Sequence, residues 1–286
     1  MRLLVDTKDP AAVESEVQAS YLAMYPNADR FLVPKAFSWA FNCFAGKYRD
    51  YQPIDARYHD LEHTLQGTLC MVRLLHGRHA ARVEPLLTER MFKLGLLAIL
   101  LHDTGYLKTK MDHEGTGAKY TLIHVSRSVE FAAVLLGEQE FEANDIAAVQ
   151  NMIRCTGVNV ELKSLPFQDE LERFVGFALG TADLLGQMAA EDYVEKLPIL
   201  YQEFAESERF NAGKTNARAM FSSASDLIQK TPGFWGFYVQ ARIKKDFQGV
   251  YLFLNDPYPD GPNIYVERIE ANLERLQRQL SATAAA

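Results

Sequence analysis

An all-α protein is predicted by three features of the sequence. Apolar residues recur at helical spacing through most of the chain, acids and prolines stand where helices start, and alternating segments bounded by tight turns are scarce. The 286 residues are 48% hydrophobic and 23% charged, a globular composition and not that of a disordered chain. No internal repeat, Pro-rich or Gly/Ser-rich linker or composition break divides them. The expectation is a single compact multi-helix bundle over 1–286.

Asp9-Pro10 starts a first helix, with an acid as N-cap and Pro at the first position, running to about Tyr25. Pro26-Asn27-Ala28-Asp29 breaks it, and Pro34 opens a second helix to about Phe44. A third covers roughly Asp60 to Leu75 and a fourth Pro85 to His102. His124 to Leu136 carries Val125, Val129, Ala132, Ala133 and Leu136 at helical spacing. Ile146–Ile153, Leu171–Met188, Tyr193–Phe204, Ala217–Ile228, Phe234–Phe253 and Ile264–Leu280 follow. Phe31–Val33 and Val158–Leu162 are the only strand candidates, and fraying is expected in the Ala282–Ala286 tail. The N- and C-terminal helices are expected to wrap around a central group.

Thirty Lys and Arg against 37 Asp and Glu give a formal charge of −7. That balance excludes a long-range positive field for nucleic-acid polymers or anionic lipid, while a bound cation can still create a local site for a small phosphorylated ligand. Met1 to Asp6 reaches an acid after three apolar residues, too few for a signal-peptide core. The apolar run Leu94–Leu101 is far shorter than the roughly 20 residues a bilayer needs. Cys43, Cys70 and Cys155, odd in number and far apart, suggest neither a disulfide framework nor a CxxC site. A reduced, cytoplasmic protein is the expectation.

All seven histidines lie between positions 59 and 124. His59 and His63, four apart, share one face if both are helical, so they can serve one metal together or supply one ligand and a neighbouring acid/base. His102-Asp103 ends the helix containing Leu94–Leu101, which is apolar all round and therefore buried. An imidazole and a carboxylate there are unfavourable unless paired or metal-bound. Asp183 repeats the argument in Phe174–Gly186, a segment with no other charge and no Lys or Arg within a turn or two. His63, His102, Asp103 and Asp183 together make a mixed nitrogen and oxygen site suited to Zn, Fe, Mn or, less well, Mg, catalytic rather than structural because it has no thiolate and leaves positions open to water. Lys108, with Lys110 and Arg57, offers cations for a phosphate, against the plain reading of solvated surface charge. His76 and His79 read as exposed helix-end residues. Phe234-Trp235-Gly236-Phe237-Tyr238 reads either as core or as an aromatic wall for a planar group.

These residues resemble the pattern of the HD superfamily of metal-dependent phosphohydrolases: a His (His63), an adjacent His-Asp pair (His102-Asp103) and a distant Asp (Asp183) on a bundle of helices. Tyr58-His59-Asp60-Leu61-Glu62-His63 and Gly180-Thr181-Ala182-Asp183 are further similar to the catalytic elements of the class I cyclic-nucleotide phosphodiesterases. The resemblance covers roughly residues 55 to 190. It implies that His59 is the general acid and His63 a ligand, and that His124 stands beside a second metal or its water; Glu114 is a further candidate to hold that water. Asp60 stands where the phosphodiesterases usually have Asn, and Thr104-Gly105-Tyr106 lacks the second histidine of their HDxxH motif. The implied activity is hydrolysis of a small phosphoester, a nucleotide or cyclic nucleotide, using one or two divalent ions (Zn, Mn, Fe or Mg) per chain, with Asp103 also able to orient or accept from the attacking water. No nucleic-acid polymer or membrane partner is implied, and the chain acts alone or as a homo-oligomer. Two rival classes are an HD-fold di-iron oxygenase, which would draw on His124 and His113, and a non-catalytic nucleotide-sensing module.

Overall fold

A computed structural model describes residues 5–213 and 220–284. Among them are ten α-helices: α1 (Pro10–Met24), α2 (Leu32–Phe44), α3 (Leu61–Ala80), α4 (Glu89–Leu101), α5 (His124–Glu138), α6 (Ala143–Arg154), α7 (Glu170–Met188), α8 (Tyr193–Asn211), α9 (Ala224–Gly233) and α10 (Ile264–Ala284). The expected all-α fold is what the chain adopts. Among the described residues pairing is limited to three isolated bridges, Ala45 with Pro53, Tyr51 with Thr109 and Asn255 with Asn263, and no helix is long and apolar enough to cross a membrane.

Local chemistry sets most helix starts. Asp9 caps α1 through the Ala11 N–H, with Pro10 following, and Asp60 caps α3 through the His63 N–H at 2.9 Å. Thr88 caps α4 through the Met91 N–H, so that helix begins at Glu89, four residues later than Pro85 suggests. Ser223 caps α9 through the Asp226 N–H, which starts it later than the expected Ala217; positions 217–219 lie outside the described residues, as do 1–4 and 285–286. Each such cap satisfies an N–H that otherwise has no helical partner.

Both strand candidates are corrected. Leu32 and Val33 open α2, with Pro34 in the first turn, where a missing N–H costs nothing. Val158–Leu162 is a turn leading into a 3₁₀ turn at Leu162–Ser164. The expected helix Phe234–Phe253 winds differently: π-helical turns at Phe234–Val239 and Arg242–Asp246, then a 3₁₀ turn at Val250–Leu254. Several helices run past their expected ends, α3 to Ala80 and α8 to Asn211, and α10 continues to Ala284 where fraying was expected.

Helices α3 and α7 form the centre of the bundle and cross at glycines. A Cβ on Gly186 would lie 2.8 Å from the Gln66 backbone, and one on Gly67 only 3.9 Å from the Asp183 Cα. That close approach brings His63, one turn before Gly67, beside Asp183. Helix α4 supplies the floor: Leu94 and Leu96 to Leu101 are at most 3% exposed. Each fully buried Leu or Ile contributes about 1.5–3 kcal/mol, enough in sum to hold the polar end of this helix where desolvation opposes it.

Candidate metal centre

His102 caps the C-terminus of α4, and Asp103 leads into the 3₁₀ turn Thr104–Tyr106. The turn is pressed onto α5: the Gly105 N–H donates to Ser128 Oγ at 2.8 Å, and a Cβ on Gly105 would sit 1.9 Å from the His124 carbonyl. Glycine is therefore required there, and its absence of side chain sets His124 next to the His-Asp pair.

The side chains meet. His63 Nε2 lies 3.2 Å from Asp103 Oδ2 and 3.2 Å from Asp183 Oδ1. His102 Nε2 lies 3.4 Å from Asp103 Oδ2 and 3.5 Å from Asp183 Oδ1. Donors about 2.1 Å from a common ion sit roughly 3.0–3.4 Å apart in octahedral or tetrahedral arrangements, so the spacing of the two imidazoles to each carboxylate suits a shared cation, although Asp183, near both imidazoles, falls outside the group of donors that all converge. His63, His102 and Asp103 form a buried group whose ligand atoms lie within 4.8 Å of one another and can hold a metal ion.

Two features of the donors support the fit. His102 Nδ1–H donates to the Ile99 carbonyl at 2.7 Å, fixing the tautomer so that the Nε2 lone pair points into the cluster. His102 Nε2 and Asp103 Oδ2 are buried without a hydrogen-bond partner in the chain, a costly state that a shared cation removes. Exposure is graded: the His63, His102 and Asp103 side chains are 4%, 1% and 2% exposed, against 16% for Asp183, 14% for His59 and 21% for His124. Solvent thus reaches the cluster from the side of His59, Asp183 and His124.

Electrostatics couple the site to protons. Burial opposes a charge on His63, but the Asp103 and Asp183 carboxylates, each 3.2 Å away, raise its pKa to about 10. Burial would push both carboxyls up, yet the neighbouring imidazoles hold them below the usual carboxylate range. A metal ligand must be neutral imidazole, so an arriving cation displaces the His63 proton. Because His102 is raised as well, the expected result is proton release on binding at neutral pH and an apparent Mn²⁺ affinity that rises with pH, about tenfold per unit for each proton displaced. Calorimetry in buffers of different ionisation enthalpy checks this; heats independent of buffer contradict it.

His59 differs from the expectation of a shared helix face with His63. Asp60 is the N-cap, so His59 precedes α3, yet its ring is still 5.2 Å from that of His63. Its Nδ1 lies 2.6 Å from Glu203 Oε2, while Glu203 Oε1 accepts the Tyr58 N–H at 2.7 Å. Burial alone would raise the Glu203 carboxyl, but His59 and the backbone donors hold it below its ordinary value. Sequence reasoning missed Glu203, which is 4% exposed on α8 among exposed and half-buried acids that read alike. His124 Nδ1–H donates to the Thr121 carbonyl at 2.7 Å, turning Nε2 towards Asp103 Oδ1 at 3.9 Å.

Other candidates fall outside the cluster. Lys108 is buried, its ammonium 2.9 Å from Asp55 and donating to the Gly115 carbonyl; its charge is already balanced, which corrects its reading as a phosphate ligand. Glu114 is exposed on the loop beside exposed His113, and its carbonyl accepts from Lys119 Nζ at 2.6 Å; it is not among the grouped donors. His76 and His79 lie towards the end of α3, His79 in its last turn, and are half-buried rather than exposed. In the aromatic segment Trp235 joins the core, while Phe237 is 87% exposed.

An all-α bundle enclosing a buried His/Asp group that can hold a metal ion is thus the class that fold and site define. The family model described as Npun_R2479-like matches residues 16–256, which include every residue of the cluster, and the chain belongs to that family. No curated protein matches the chain.

Proposed function

We propose that the chain is a metal-dependent phosphohydrolase of the HD type acting on a small phosphoester, with a nucleotide or cyclic nucleotide as the favoured substrate class. The observation that carries this reading is the convergence of His63, His102, Asp103 and Asp183, drawn from three separate helices and turns. Zn, Mn, Fe or Mg all suit such donors. A divalent ion held by them lowers the pKa of water towards 7 and polarises a phosphoryl oxygen.

The chain's own groups supply the remaining chemistry. Asp103 Oδ1 and His124 Nε2 are both acceptors, 3.9 Å apart, so one water can donate a proton to each and is held there for in-line attack on phosphorus. Glu203 fixes the His59 ring through Nδ1, which leaves His59 Nε2–H to donate to the departing ester oxygen. Tyr58 anchors the pair, its hydroxyl bonded to Gln187 Oε1 at 2.8 Å. The half-exposed side formed by His59, Asp183 and His124 gives the substrate its approach.

The test is a phosphate-release screen of the full chain over nucleoside monophosphates, cyclic nucleotides (with a phosphatase added to reveal diester cleavage) and other small phosphoesters. Turnover that needs added divalent cation and stops with chelator supports the reading. Dioxygen consumption by iron-loaded protein, with no phosphoester cleaved, would instead favour the oxygenase class.

A further inference from the structure

Phosphodiesterase resemblance leaves one or two cations open, yet the side chains around the outer oxygen of Asp103 do not provide for a second. Asp103 Oδ1 and His124 Nε2 face each other there, and His59, its Nδ1 held by Glu203, is not among the donors that converge. Among the described residues, His63, His102 and Asp103 are the one group of three His, Cys, Asp or Glu donors that converge. The residue four after His102 is Tyr106, and the 3₁₀ turn Thr104–Tyr106 carries it inward until it is 0% exposed. Its ring stacks against that of His59 (4.5 Å between centroids, 13° between planes) and that of His124 (4.7 Å, 20°). It puts carbon where a ligand would be needed, and a neutral phenol is a poor donor to a divalent ion beside carboxylate or imidazole.

We infer that Tyr106 closes the second metal position, so that the centre takes one divalent ion per chain and His124 serves as a hydrogen-bonding group, not a ligand. This rests on the metal reading above and adds the stoichiometry and the residue that sets it. Replacing the ring by an imidazole returns a donor beside His124 and Asp103 Oδ1, the minimum of three for a second ion.

The experiment is Mn²⁺ loading of the full chain, removal of free ion, elemental analysis and electron paramagnetic resonance. Wild type and Tyr106→Phe are expected to hold one Mn²⁺ per chain with the spectrum of an isolated ion. Tyr106→His is expected to hold two, with the signature of an exchange-coupled pair. Two ions in wild type, or one in a folded Tyr106→His variant, overturn the inference. No bound ion in wild type refutes the metal reading itself, a different outcome from two. Should Tyr106→His fail to fold, the wild-type and Tyr106→Phe counts decide alone.

Discussion

His102→Ala and Asp103→Asn are each expected to lose the bound divalent ion and all metal-dependent phosphoester cleavage, with helix content unchanged. Both side chains sit at the buried end of α4, 1% and 2% exposed, and each contributes an atom that makes no hydrogen bond within the chain. Without the cation, water returns from a pKa near 7 to about 15.7, so the fall is complete on an assay scale. Asp103→Asn preserves volume and avoids leaving a cavity, so retained circular dichroism separates lost chemistry from lost fold. Activity surviving in either variant, with metal absent, contradicts the hydrolytic mechanism.

His59→Ala is expected to lower turnover by ~10²–10⁴ with the metal retained, the usual contribution of a positioned general acid. Glu203→Gln keeps an acceptor for the Tyr58 N–H but removes the charge 2.6 Å from His59 Nδ1, and a loss of about 10–100-fold follows if it acts as other groups that orient a site residue do. The leaving group supplies the control. A p-nitrophenyl ester departs without help from a proton, so the His59→Ala deficit should shrink sharply on it compared with a nucleotide ester. An equal deficit on both substrates would rule out proton donation, and loss of metal from His59→Ala would make His59 a ligand instead.

The parts legible in the sequence were those where burial made polarity expensive. His102-Asp103 after eight apolar residues, and Asp183 in an uncharged run, each stand out because an isolated buried charge is not tolerated; the structure brings both to the same point. The glycines of the α3–α7 crossing carry no such mark, since Gly67 and Gly186 reveal their purpose only when the two backbones touch. Glu203 was hidden for the opposite reason: on α8 it stands near Glu195, Glu206 and Glu208, and nothing local separates a buried acid from its solvated neighbours. Lys108 misled in the same way, because its partner Asp55 lies more than fifty residues away. The wide turns of 234–246 follow an α9 that already contains Pro232, and helical periodicity cannot distinguish them from a continuous α-helix.

The central claim is that side chains from distant parts of the chain share one cation. Crystals grown with Mn²⁺ and measured at an energy where manganese scatters anomalously test it most directly. The predicted result is a strong anomalous peak about 2.0–2.3 Å from His63 Nε2, His102 Nε2, Asp103 Oδ2 and Asp183 Oδ1. A well-ordered structure in excess Mn²⁺ with those four groups joined only by hydrogen bonds, and no peak among them, would contradict it.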